Sequence, residues 1–197
     1  EVEASYTFVS CWNATEATLP TLCQDGDVIV SDELNHACII DSMRLTTAIH
    51  KGVSKTIYKH SDMGSLREAL LSATEKRTGN GAIFVITDGV FSMEGDIALL
   101  PDIRALCDEF GAVLVVDDSH GTGVMGETGR GTHEYYGMAG SDIDIFTGTL
   151  GKALGGGAGG YVAGKRDVVE LLVQRGRPTL FSNALPVTVA CSAKVAI

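Results

Sequence analysis

A chain of 197 residues, 45% hydrophobic and 20% charged, has the balance of an ordinary α/β domain and is long enough to bury a sizeable core. Its formal net charge of −10 argues against nucleic-acid binding, which needs a basic face, and no apolar run approaches the ~20 residues of a membrane span. Five scattered cysteines, Cys11, Cys23, Cys38, Cys107 and Cys191, include no C-x-x-C pair, which points to a reducing compartment rather than a disulfide framework.

In chain order, short apolar runs alternate with amphipathic ones. "DVIVSD" (27–32) reads as a strand, and 35–49 as a helix with Ile39, Ile40, Met43 and Leu45 on one face. A strand at 54–60 is followed by Ser61 as the cap of a helix over 62–76, whose Leu66, Ala69, Leu70 and Ala73 face inward. "GAIFVITDGV" (81–90) has the β-branched content of a buried strand. Pro101 opens a helix with Ile103, Leu106, Cys107 and Phe110 inward and Gly111 as its stop. "AVLVVDD" (112–118) is the clearest strand. Shorter strands follow at 143–148 and 159–164, then a helix over 165–176 ended by Gly176, and a last helix begins in "NALPVTVACSAKVAI". This alternation predicts βα units on a mainly parallel sheet, in one domain over 1–197 with no repeat or linker. The abrupt start "EVEASYTFVS" and the interrupted final helix suggest a fragment. A cytoplasmic protein, or one of an organellar matrix, is expected.

"GTGVMG" (121–126) matches a dinucleotide fingerprint, with Asp142 and Asp144 about 20 residues on. The context is wrong, because "ETGRGTHEYYGMAG" follows, with four more glycines and no helical period. The nicotinamide reading is rejected.

Ligands of open α/β sheets sit beyond the carboxyl ends of the strands, and here several predicted strands end in "VSCW", "DGVFS", "DDSH" and "TGTLGK". Asp117, at the end of a buried strand, needs a cationic partner. Asp118 points to the opposite face, and His120 returns to Asp117's side. A solvated turn explains these residues too. A metal is a third reading, but no H-x-x-x-H spacing supports it, and none is expected. Lys152 reads as a solvated turn residue in most settings. Here it stands between "DIFTG" and "ALGGGAGGYVA", where poor hydration would free its amine as a nucleophile. Thr147, Thr149 and local N–H groups can bind an anion beside it, and glycines permit close approach to a flat ligand. A Schiff-base lysine, a buried carboxylate for a ring nitrogen and phosphate donors at turns describe a pyridoxal phosphate site.

Five ordered motifs carry a family resemblance: "SDELNHACIIDSMRL", "TDGVFSMEGDIALLPDI", "VVDDSHGTGVMGETGRGTHEY", "TGTLGKALGGGAGGY" and "RPTLFSNALP". Together they closely resemble the α-oxoamine synthases of the fold type I pyridoxal phosphate enzymes. The resemblance implies a three-layer αβα architecture, the large cofactor domain of the aspartate-aminotransferase-like fold, without the Gly-rich N-terminal stretch and the small C-terminal domain. It makes Lys152 the Schiff-base lysine and Thr149 a phosphate ligand. Asp117 becomes the ring-nitrogen partner, with His120 and Ser92 near the ring hydroxyl and His36 stacked on the ring. Cys11 and Trp12 occupy the phosphate turn, although Trp12 and the following "NATEA" depart from the usual residues. Ser182 and Asn183 resemble a segment reaching the cofactor of a neighbouring subunit, which implies a homodimer with shared sites. The implied reaction transfers an acyl group from acyl-CoA to an amino acid, most closely acetyl-CoA and glycine giving 2-amino-3-oxobutanoate and coenzyme A. The alternatives are a decarboxylating condensation that makes 8-amino-7-oxononanoate, another fold type I enzyme such as an aminotransferase or sulfur-compound lyase, and a non-catalytic scaffold.

Overall fold

The computed structural model describes residues 2–197, so Glu1 of the expected 1–197 domain lies outside it. The chain enters with β1 (Ala4–Phe8) and α1 (Cys11–Leu22), followed by β2 (Val28–Asp32), α2 (Ala37–Ile49), β3 (Ser54–Tyr58) and α3 (Met63–Lys76). Then come β4 (Ile83–Asp88), α4 (Leu100–Phe110), β5 (Val113–Asp117) and the single turn α5 (Thr132–Tyr135). Next are β6 (Ile145–Thr149), β7 (Gly160–Gly164), α6 (Arg166–Arg175), α7 (Arg177–Phe181) and α8 (Val187–Ala196). The seven strands form one sheet in the order β1-β7-β6-β5-β4-β2-β3. Strands β2 to β6 pair in parallel, and β7 runs antiparallel to both β6 and β1. The expected α/β, mainly parallel architecture is what is found.

The sheet separates two cores. Alternate side chains of β2, β4 and β5 (Val30, Val85, Leu114, Val116) pack with α3 and α4 on one face. Ile29, Ile86 and Val115 pack on the other with Ala14, Leu19, Ile39 and Leu172 of α1, α2 and α6. Strands covered on both faces lose the polar alternation of a half-exposed sheet. Hence β4 is buried at every position.

Several expected boundaries move. Ser61 is not the cap of α3; it sits at φ 53, and the Asp62 carboxylate accepts the Ser65 N–H at 2.9 Å instead. The helix expected from 35 begins at Ala37, because the His36 imidazole caps it by accepting the Cys38 N–H at 3.2 Å. Leu45 was expected inward and is 37% exposed. Gly111 ends α4 in the left-handed region at φ 62, as a helix stop should. Residues 121–131 form turns and no helix, which disposes of the dinucleotide fingerprint. Helix α1 was not foreseen, whereas β1 is the strand expected to end at "VSCW". Among the described residues no helix is long and apolar enough to cross a membrane.

Register brings the chemistry together. Asp88 of β4 pairs with Asp117 of β5, which pairs with Thr147 of β6, so the three lie in one row at the carboxyl end of the sheet. By strand parity, Asp88 and Asp117 emerge on the face covered by α1 and α2. Their immediate successors turn the other way: Asp118 accepts the Thr132 N–H at 2.9 Å and its hydroxyl at 2.5 Å, pinning the glycine-rich loop.

Candidate active site

A cavity of about 170 Å³ lies between that row and the first turns of α1 and α2. Eight of the ten expected site residues line it: Cys11, Trp12, His36, Ser92, Asp117, His120, Thr149 and Lys152. Ser182 and Asn183 do not; they are exposed between α7 and α8. Cys38, Asp88 and Ser119 also line it and were not singled out from the sequence. A larger cleft of about 960 Å³ beside β1, β7 and α8 carries Arg130 and Lys194 but no carboxylate or imidazole side chain, so the chemistry belongs to the smaller cavity.

Asp117 is buried, 3% exposed, at its floor. Its Oδ1 accepts the Ser119 N–H at 3.0 Å. Its Oδ2 receives only the thiols of Cys11 and Cys38, at 3.3 and 3.7 Å, and thiols are weak donors. Among the described residues no lysine, arginine or histidine forms an ion pair with it. A buried carboxylate so poorly matched is arranged for a strong donor that comes from outside the chain.

Beside it, Asp88 accepts the His36 N–H at 2.8 Å. Burial, reinforced by the charge of Asp117, pushes the Asp88 carboxyl up from 3.8 to about 8. Asn35 supports this corner: its amide bonds to Ser31 and to the Ile86 carbonyl, and its oxygen accepts the Asp88 N–H at 2.8 Å. His36 is held from below, since Nδ1 accepts the Cys38 N–H and lies 3.0 Å from Cys38 Sγ. That arrangement makes Nδ1 the acceptor and leaves the ring proton on Nε2.

Also in the cavity lining, the Lys152 amine donates to His120 Nε2 at 2.7 Å. Burial and then the neighbouring lysine charge lower the proton affinity of His120, so the imidazole is neutral and accepts. Lys152 itself is exposed, contrary to the expectation of an apolar, poorly hydrated lysine. Thr149 shapes the turn that carries it: the hydroxyl donates to the Gly159 carbonyl at 3.0 Å and accepts the Gly151 N–H at 3.1 Å. The glycine tract was expected to approach a flat ligand. Within that tract Gly160 closes on protein backbone: a Cβ there would stand 2.3 Å from the Cys11 nitrogen. That contact seats the first turn of α1, whose Asn13 N–H is capped by Ser10 Oγ at 3.2 Å, at the mouth of the cavity. Helix N-termini favour anions through their N–H groups and dipole. Ser92 reaches the cavity from a loop anchored by Phe91, whose ring packs edge-on against His60. His60 in turn lies between Asp32 at 3.0 Å and Asp96 at 3.1 Å. Among the described residues no group of three or more His, Cys, Asp or Glu side chains is placed to hold a metal.

An unmatched buried carboxylate, a lysine amine, two imidazoles and the first turn of a helix, all lining one cavity, together fit a phosphorylated, cationic aromatic ring. The comparisons with known proteins agree, and the chain belongs to the aminotransferase class I and II family, whose sequence profile matches residues 1–195. The cofactor of this family is pyridoxal phosphate.

Within that family its relatives are α-oxoamine synthases, as the five motifs imply. The chain is 48% identical over 184 residues to 8-amino-7-oxononanoate synthase of Alkaliphilus oremlandii, covering 93% of this chain and 44% of that protein. It is 47% identical over 195 residues to 2-amino-3-ketobutyrate coenzyme A ligase of Escherichia coli, covering 98% and 47%. The solved serine palmitoyltransferase of S. paucimobilis with bound PLP-myriocin aldimine superposes with a TM-score of 0.88 at 28% identity, over 99% of this chain and 46% of that one. The chain therefore spans about half the length of the relatives it matches.

Proposed function

We propose that the protein carrying this chain is a pyridoxal phosphate-dependent acyltransferase that joins the acetyl group of acetyl-CoA to glycine, giving 2-amino-3-oxobutanoate and coenzyme A. The observation that carries the reading is the convergence of Lys152, His120 and the unmatched Asp117 on one cavity. When bound, pyridoxal phosphate supplies an electron sink for the pair left at the α-carbon of the amino acid. The chain's own groups do the rest. Asp117 would hold the ring nitrogen and balance its proton, and His36 would pack over the ring. Ser92 and His120 would bond the ring hydroxyl. Thr149 and the first turn of α1 at Cys11 and Trp12 would hold the phosphate; the Thr149 hydroxyl would turn from the Gly159 carbonyl to do so. Lys152 Nζ would anchor the cofactor and would be the base for the α-proton of the substrate, with neutral His120 as the acceptor that keeps the amine in place. Ser182 and Asn183, outside this cavity, serve the site of a second subunit in a homodimer. Five free thiols, three of them buried, suit a cytoplasmic setting.

A second reading, 8-amino-7-oxononanoate synthesis by decarboxylating condensation, is favoured by near-equal identity to the two kinds of relative. One assay separates them. The full-length protein is given acetyl, succinyl, pimeloyl and palmitoyl thioesters with each amino acid, and coenzyme A and carbon dioxide release are measured. Fastest turnover of acetyl-CoA with glycine and no carbon dioxide supports the first reading. Preference for a pimeloyl thioester with carbon dioxide release replaces it with the second. Lys152→Ala is expected to remove the yellow colour of the loaded protein and lower turnover by about 10³-fold or more; an active, yellow variant refutes the role of Lys152.

A further inference from the structure

The floor of the cavity holds two thiols for which the acyl-transfer chemistry has no use. Cys11 opens α1 and Cys38 lies in the first turn of α2, so the sulfurs arrive from different helices. Both bond the same atom, Asp117 Oδ2, and Thr15 Oγ1 lies 3.9 Å from each. Two sulfurs gathered on one oxygen are within side-chain reach of each other. Their surroundings differ. Cys11 is half-buried, lines the cavity and accepts the Ser119 hydroxyl at 3.2 Å. Cys38 is buried; contact with Cys11, burial and the charge of Asp117 push its thiol far up, so it does not ionise unaided. His36 Nδ1, 3.0 Å from Cys38 Sγ, is a ready proton acceptor for it. The remaining cysteines lack this company: Cys23 and Cys107 are buried elsewhere, and Cys191 is exposed on α8.

We propose that Cys11 and Cys38 form a redox-active pair that closes to a disulfide when a peroxide enters the cofactor-free cavity. The Cys11 sulfur attacks one peroxide oxygen, the O–O bond breaks, and the thiol proton leaves with the other oxygen as water, which makes Cys11 a sulfenic acid. Cys38 then passes its proton to His36 Nδ1 and its sulfur attacks Cys11 Sγ. The S–S bond forms, the S–O bond breaks, and the departing hydroxide takes the proton from His36 as a second water. Two thiols lose two electrons and the peroxide gains them. Asp117 Oδ2 loses both of its donors, and the first turns of α1 and α2 are tied together across the place of the ring. The oxidised protein then no longer takes up cofactor, and bound cofactor shields the pair.

The test uses the full-length protein stripped of pyridoxal phosphate and treated with hydrogen peroxide. Peptide mass spectrometry is expected to find Cys11 and Cys38 cross-linked, lighter by two hydrogen atoms. Cofactor uptake, read by visible absorbance, is lost and then restored by dithiothreitol. In Cys38→Ser the cross-link is absent and Cys11 is trapped as a sulfenic acid by dimedone. Persistent sulfenic acid at Cys11 of the unsubstituted protein without a cross-link, or modification confined to Cys191, overturns the proposal. The cross-link itself needs only the two thiols, whereas shielding rests on the cofactor placement argued above. A cross-link that forms equally in loaded protein therefore refutes that placement and leaves the pair standing.

Discussion

Replacing Asp88 by Asn isolates the cost of keeping a carboxyl at the row of strand ends. Asp88 is 6% exposed, and burial with the charge of Asp117 places its proton affinity at about 8, against 3.8 when free. Between those values the cofactor-free native state holds a proton that the unfolded chain has released. The stability the carboxyl contributes is thus complete below about pH 4, falls as pH rises, and levels off above about 8. At about 1.4 kcal/mol per pH unit, the ceiling over that window is about 5–6 kcal/mol. Asn has the shape of the protonated acid and an oxygen for the His36 N–H, but does not titrate. Asp88→Asn is therefore expected to match the parent near pH 4 and to exceed its stability by about 2 kcal/mol or more at pH 8. Urea unfolding of both proteins, without cofactor and at one protein concentration, measures the difference at each pH. Parallel pH profiles, or a variant less stable than the parent at pH 8, would refute the argument.

Two further substitutions probe the walls of the cavity. In Gly160→Ala the new Cβ meets the backbone of Ser10 and Cys11 at 2.3 Å, and neither atom can swing aside. A loss of about 3 kcal/mol and weaker cofactor binding are expected, against about 1 kcal/mol for Gly155→Ala, where nothing lies within 4 Å but φ is 69. Thermal melts and a cofactor titration compare the two. Phe91→Ala empties a site only 1% exposed and removes the ring that supports His60 beside the Ser92 loop. It should cost about 3–5 kcal/mol in urea unfolding; a loss below about 1 kcal/mol would show that the loop does not depend on that ring.

What the sequence makes legible follows from how local the physics is. β4 and β5 announce themselves by β-branched runs, because strands buried on both faces need them. Helix α1 does not, since Thr15, Thr18 and Pro20 speak against a helix. In the structure the two hydroxyls bond back to the Cys11 and Ala14 carbonyls, and Pro20 sits near the end, where little ladder is lost. The motif residues of the cavity are legible through their family pattern, whereas Asp88, Cys38 and Ser119 depend on strand register and helix approach, which no local window contains. The same reason explains Lys152: apolar neighbours in sequence do not reveal that its amine is exposed and meets His120, 32 residues away.

The pairing of β1 with β7 has a consequence for biosynthesis. Ala4 finds its hydrogen-bonding neighbour at Gly164, and Glu3 accepts the N–H of Arg166, so β1 has no partner strand until the chain has been made past residue 164. The mouth of the cavity, seated by Gly160 against Cys11, closes only at that moment. Contacts so far apart in the chain close slowly. During synthesis the parallel strands β2 to β6 are thus complete before β7 can seat the turn between β1 and α1.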